Sequence, residues 1–172
     1  WSDCATRLGR LPAGELPPAT MATFANEYLA LLARLAPGKA RVTDKMPDNF
    51  RRAGLIHAIF PNARIVHCRR NPVDNALSIY FTQFAQGLDY AYDRANIVAM
   101  YRQYLRLMAH WRAVLPADRF LDVDYESVVD DRDSTVRRLL DFCGLDWNEA
   151  CLRHEKNDRP VKTASLWQAR QP

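Results

Sequence analysis

Long hydrophobic runs are absent from this chain. Although 48% of its 172 residues are hydrophobic, no stretch approaches the roughly 18 apolar residues of a membrane span. Nor does it open on the basic, apolar and small-residue pattern of a secretory signal. Cysteine is scarce. Cys4, Cys68, Cys143 and Cys151 form no Cys-x-x-Cys pair and no metal-ligand spacing, so we expect no metal site and a reducing, cytoplasmic location. Cys68 and Cys143 sit in apolar surroundings and are expected as buried thiols. His57, His67, His110 and His154 likewise lack metal spacing, and no Ser/His/Asp order appears. His57 and His110 fall within helical patterns and read as structural, and His67 reads as a structural strand residue rather than a base. Glycine numbers only six, and no Walker-type Gly-x-x-x-x-Gly-Lys-Ser/Thr loop is present. Internal repeats and low-complexity tracts are missing too.

Lysine is also rare: four lysines stand against twenty arginines, within a net charge of +4. Arginine suits phosphate and sulfate because its fork is planar and bidentate. Most of these arginines read as solvated surface. They alternate with acids rather than clustering with aromatics, which argues against nucleic-acid binding.

A chain of this length suits one domain and buries roughly 70% of its unfolded surface. Residues 1–18 are punctuated by Gly and Pro and are expected as loop. Met21, Phe24, Tyr28, Leu32 and Leu35 follow helical spacing. Ala40–Asp44 reads as a strand, and Asn49–Phe60 as a helix with Phe50, Leu55, Ile56 and Ile59 inward. Ala63–Cys68 reads as the central strand. Ile97, Tyr101, Tyr104, Met108, Trp111 and Leu115 mark a long amphipathic helix whose stripe is core. Phe120–Tyr125 reads as a third strand. Asp133 is expected to cap a helix from Ser134 to Cys143, stopped by Gly144, and Trp147–His154 to form a short helix. Strands separated by helices of this length imply parallel βαβ units.

The most informative stretch is Arg70-Asn71-Pro72-Val73-Asp74-Asn75-Ala76-Leu77-Ser78. It follows the central strand and opens a helix, with Asn71 as N-cap, Pro72 at N1 and Asp74 at N3. Free backbone N–H groups and the helix dipole at such a junction favour an anion. Arg70 adds a five-donor fork and Ser78 a hydroxyl. Read singly, Arg70 is a surface ion pair with Asp74 and Ser78 a helical serine bonding its i−4 carbonyl. Read together after a strand, they suit a phosphate monoester. Arg69 should point to the opposite strand face and is not given the same role.

This passage resembles the sulfotransferase family, whose members carry an Arg and, eight residues on, a Ser that grip the 3′-phosphate of PAPS (3′-phosphoadenosine 5′-phosphosulfate). The similarity is to bacterial sulfotransferases often joined to tetratricopeptide repeats and to tyrosylprotein sulfotransferases, and covers roughly residues 29–172. It implies an α/β chain with the P-loop-nucleotide-type fold, three layers α/β/α around a central parallel sheet. It implies Lys45, in Thr43-Asp44-Lys45-Met46-Pro47, as the cation at the oxygen bridging the 5′-phosphate and the sulfuryl group. The competing reading is a solvated lysine paired with Asp44 or Asp48. Tyr125 of the Tyr125-Glu126 element resembles the family tyrosine near the adenine, against a core tyrosine with a tethered hydroxyl. Glu126 reads as a cap or structural partner rather than a base. Thr163, Ser165 and Arg170 lie in a stretch similar to the late loop that closes over the donor, where Ser165 would assist Lys45 and Thr163 and Arg170 would contact the cofactor. The competing reading is a flexible tail.

The family places the 5′-phosphosulfate on a loop after its first strand, and no such loop precedes Ala40. Gly9 and Gly14 are too isolated, and Glu15 and Glu27 are weak base candidates. The sequence begins at Trp1 and reads as the C-terminal portion of a sulfotransferase domain, inactive alone. The expected activity is metal-free sulfuryl transfer from PAPS to a small-molecule or protein acceptor, with an upstream repeat domain or a second copy as possible partners. The competing functions are another P-loop-fold phosphotransferase and a non-catalytic anion-binding fragment.

Overall fold

Two prolines start the first helix. In the computed structural model, which describes residues 17–84 and 88–153, α1 spans Pro18–Leu35 with proline at its first position, where the missing N–H costs nothing. A 3₁₀ turn, Pro47–Arg52, runs into α2, Ala53–Ile59. Then follow β1, Ile65–Arg69; α3, Pro72–Phe81; a 3₁₀ turn, Asp89–Tyr92; and α4, Arg94–Val114. The chain continues with β2, Phe120–Asp124; α5, Tyr125–Asp130; α6, Arg132–Cys143; and a 3₁₀ turn, Glu149–Leu152. It is a mixed α/β protein, mostly helical, with one small parallel sheet. It divides into two compact units, one holding residues up to Ile65 together with Val98–Phe120, the other Val66–Ile97 and the residues from Leu121 onward.

Apolar packing holds the first unit. Phe24 and Ile59 are buried together, with Met21, Ala25, Leu55 and Phe60 against them. The rings of Tyr28 and Phe60 lie 5.5 Å apart. Met108 is fully buried and Leu115 nearly so, as the stripe on α4 leads one to expect. The expected helix over Asn49–Phe60 is broken: Arg52 leaves helical geometry, with φ −125° and ψ 15°, so a 3₁₀ turn precedes α2. Past the break Gly54 presses on Trp111. A Cβ at Gly54 would fall 2.6 Å from the indole ring. The Trp111 Nε1–H donates to the Phe50 carbonyl at 2.7 Å, which fixes that ring.

The expected strand at Ala40–Asp44 is extended but pairs with no other strand among the described residues. A strand needs a ladder partner to satisfy its backbone. Here Asp44 is instead tied to α1 and the 3₁₀ turn: its carboxylate accepts from the Tyr28 hydroxyl and from the Asn49 amide.

The second unit is built around β1 and β2. His67 meets Asp122, Arg69 meets Asp124 and the Asn71 N–H meets Glu126. The offset is 55 residues each time, and a constant offset means parallel strands. These pairs, two residues apart, lie on one face. Val123, of the other parity, is buried. The Cys68 thiol is not the buried one the sequence suggests. Among the described residues β1 has one strand neighbour, and Cys68 is exposed, while Cys143 is half-buried.

Beyond β2 the chain turns directly into α5, where the sequence suggests a strand end. The cap of α6 is Asp131, whose side chain accepts from the Ser134 N–H at 3.3 Å. Asp133, the expected cap, pairs with Arg137 instead. Gly144 ends α6 as expected, with φ 62°, a left-handed conformation that costs a Cβ-bearing residue more. Thr135 is buried, and its hydroxyl donates to the Ser127 carbonyl at 3.0 Å, joining α6 to α5.

Candidate functional site

The junction between β1 and α3 forms as its local sequence dictates. The Asn71 side chain accepts from the Val73 and Asp74 N–H groups at 2.9 and 3.5 Å, and Pro72 occupies the first helical position. Arg70 stands exposed at the strand end. Its guanidinium lies 5.2 Å from the centre of the Tyr125 ring, within cation–π range. Among the described residues it has no acidic partner, so the ion pair with Asp74 does not form. Arg69 is spent differently: it makes a forked contact with Asp124, which holds that carboxyl below its ordinary value. Ser78 is exposed about two turns into α3. Its hydroxyl makes no hydrogen bond among the described residues, so the i−4 bond does not form either.

Tyr125 is exposed at the first position of α5 rather than buried as a core tyrosine. A flat aromatic face and an unpaired guanidinium, side by side, suit a purine and a phosphate. Glu126 behaves as the cap or structural partner suggested by the sequence, accepting the Asn71 N–H at 2.8 Å.

One expectation fails. The start of α3 has no free backbone donors from residue 71 to 75. The Asn71 N–H is taken by Glu126, those of Val73 and Asp74 by the Asn71 side chain, and that of Asn75 by the Asn71 carbonyl at 2.9 Å. Pro72 has none to offer. An anion here would be held by side chains.

In the first unit, Lys45 is exposed in the extended segment before the 3₁₀ turn, not at a strand end. Neither neighbouring carboxylate pairs with it: Asp44 is engaged by Tyr28 and Asn49, and Asp48 lies 3.8 Å from Arg51. Among the described residues its ammonium has no acidic partner. The same unit carries an open groove of about 570 Å³ along α4, whose lining includes Phe50, Tyr104, Arg51, Arg106 and His110 and no carboxylate. Sequence reasoning missed this groove. Its signal was the recurrence of Gln103, Arg106, Leu107 and His110 along one helical face.

His67 is nearly buried, with its Nδ1 2.6 Å from Asp122, which fits the structural role. Cys68 is exposed, yet partial desolvation of its sulfur pushes the thiol above its ordinary value, which leaves little reactive thiolate near neutral pH. Among the described residues no group of three or more His, Cys, Asp or Glu side chains is placed to hold a metal ion, and no helix is long and apolar enough to cross a membrane. Thr163, Ser165 and Arg170 lie outside the described residues.

Comparison with known proteins adds independent evidence. The sulfotransferase family model matches residues 13–149. An uncharacterized protein of Aquifex aeolicus (strain VF5) is 37% identical over 149 residues, covering 85% of this chain and 19% of that protein. Human heparan sulfate glucosamine 3-O-sulfotransferase 6 is 32% identical over 138 residues, covering 69% of this chain and 39% of that protein. The chain thus spans less than half the length of either relative. With four-fifths of its residues matched by the family model, it belongs to the sulfotransferase family.

Proposed function

We propose that the protein transfers a sulfuryl group from PAPS to a hydroxyl or amine acceptor. The observation that carries this reading is the arrangement at the β1–α3 junction: Arg70 free of any described carboxylate and lying over the exposed Tyr125 ring, with Ser78 unbonded two turns on. Arg70 and Ser78 would grip the 3′-phosphate, which fixes the donor and so the reacting geometry. Tyr125 would stack on the adenine.

The acceptor oxygen or nitrogen attacks sulfur, and its proton passes to a base. The bond from sulfur to the 5′-phosphate oxygen breaks, releasing adenosine 3′,5′-bisphosphate. Negative charge grows on that leaving phosphate, and the unpaired Lys45 would stabilise it more in the transition state than in the ground state. Ser165 would assist, and Thr163 and Arg170 would contact the donor. The surrounding fold we propose is the three-layer α/β/α sulfotransferase domain, in a cytoplasmic protein of the tetratricopeptide-linked or tyrosylprotein type.

For the acceptor, an acidic saccharide is the first class to try. The human relative is named for a glucosamine of heparan sulfate, and the groove along α4 is lined by Arg51, Arg106 and His110 without a carboxylate. The test is a transfer assay on the full-length protein with sulfur-labelled PAPS, offering acidic saccharides, phenols and tyrosine peptides, with and without a chelator. Label appearing on an acceptor, unaffected by the chelator, supports the reading. Hydrolysis of ATP with no transfer from PAPS would replace it with a phosphotransferase.

A further inference from the structure

We propose that Glu126 is a positioning and specificity-determining residue of the anion site, and not merely a structural cap. This rests on the nucleotide reading above. Three observations carry it. The half-buried Glu126 carboxylate takes the N–H of Asn71, the residue directly after Arg70. The Asn71 side chain takes the next two available amides. Tyr125, the residue directly before Glu126, is the one whose ring faces the Arg70 guanidinium.

Glu126 therefore acts twice. Its hydrogen bond ties the β1–α3 turn to the start of α5 and so holds Arg70 and Tyr125 in register. Its charge and its claim on the amide deny the junction to small anions, which bind helix starts through backbone N–H groups. A compact inorganic ion finds one guanidinium, one hydroxyl and a nearby carboxylate. A nucleotide phosphate finds the same, and its base adds stacking on Tyr125. The site selects a phosphate that arrives attached to a purine.

The experiment compares the full-length wild-type protein with Glu126→Gln and Glu126→Ala by titration calorimetry. The probes are adenosine 3′,5′-bisphosphate, 5′-AMP and inorganic sulfate, with melting temperature recorded for each variant. Glutamine keeps an acceptor for the Asn71 N–H and removes only the charge. Sulfate binding should then strengthen about two- to fivefold, the size of an exposed charge interaction, with melting unchanged. Alanine also frees the amide and loosens the turn. Sulfate should bind more tightly still while the bisphosphate binds more weakly, cutting the preference for the nucleotide about tenfold, as expected for loss of a charge-assisted contact. If the wild type prefers the bisphosphate over 5′-AMP but neither variant changes the nucleotide-to-sulfate ratio, Glu126 is structural only and the proposal is overturned. If the wild type shows no preference for the bisphosphate, the nucleotide reading falls and this inference falls with it.

Discussion

The two units are held together by different physics. The first is an apolar core: Phe24 on Ile59, Tyr28 on Phe60, and Gly54 pressed on a Trp111 ring pinned by its own hydrogen bond. The second is fastened largely by polar clamps: His67 to Asp122, Arg69 to Asp124, Asn71 to Glu126, and capping side chains at Asn71, Asp131 and Asn148. The difference teaches where anion chemistry can be placed. A unit fastened by fixed charges can leave one arginine out of the pairing and keep its position. In the second unit Arg69 is spent on the fold, and Arg70, the arginine we propose binds the ligand, has no acidic partner among the described residues. In the first unit the proposed chemistry rests on the Lys45 ammonium, which has no acidic partner among the described residues because Asp44 and Asp48 have other partners.

The sharpest contrast should be in turnover. Lys45→Ala in the full-length enzyme removes a cation proposed to act on the leaving group, so kcat should fall about a hundredfold or more while donor affinity changes little. Steady-state kinetics beside equilibrium binding of the bisphosphate separates the two. A near-native kcat removes Lys45 from the mechanism.

Next in size is a packing defect confined to the first unit. Gly54→Ala should destabilise by about 1–3 kcal/mol, because the ring it meets cannot swing away without losing its bond to Phe50. The loss should be insensitive to salt and to pH. Urea melts at two ionic strengths measure this, and a salt-dependent loss would contradict the division drawn between the units.

Much of this was legible in the sequence where the signal is local. Asn71-Pro72 announced the start of α3, Gly144 the end of α6, and the Ile97-to-Leu115 stripe the long helix. What escaped was set at a distance. Arg-Val-Thr-Asp at 41–44 looks like a strand until a ladder partner is required. In Asp131-Arg132-Asp133 either aspartate suits a cap by residue type; Asp131 takes that place, and Asp133 meets Arg137 one turn on. At the α3 start Asn71 takes the later amides locally, but the loss of its own N–H depends on Glu126, 55 residues away. That Lys45 has no acidic partner among the described residues depends in part on Tyr28, 16 residues from Asp44. Spacing rules see one helix or one turn, and these are tertiary facts.

Two smaller effects belong to the second unit. Asn71→Ala removes the cap of α3 and should cost about 1 kcal/mol, read as a lowered midpoint in urea. The smallest is a pH effect. The Asp124 carboxyl is held below its ordinary value by its hydrogen bond to Arg69. The pair's stabilisation is therefore complete above about pH 4, the ordinary aspartate value, and is lost as the pH falls through the lowered one. Being partly exposed, the pair should contribute under about 1 kcal/mol and weaken with salt. Asp124→Asn should make the acid limb of the stability profile shallower, and an unchanged limb would show that the pair does not contribute.

The central claim is that Arg70 recognises a 3′-phosphate. Its direct measurement is the affinity of wild type and Arg70→Ala, in the full-length protein, for adenosine 3′,5′-bisphosphate and for 5′-AMP. Loss of a charge-assisted contact of about 1.5–3 kcal/mol should weaken the bisphosphate at least tenfold and leave 5′-AMP nearly unchanged. Equal losses for the two nucleotides would contradict the assignment, since Arg70 would then be sensing something they share.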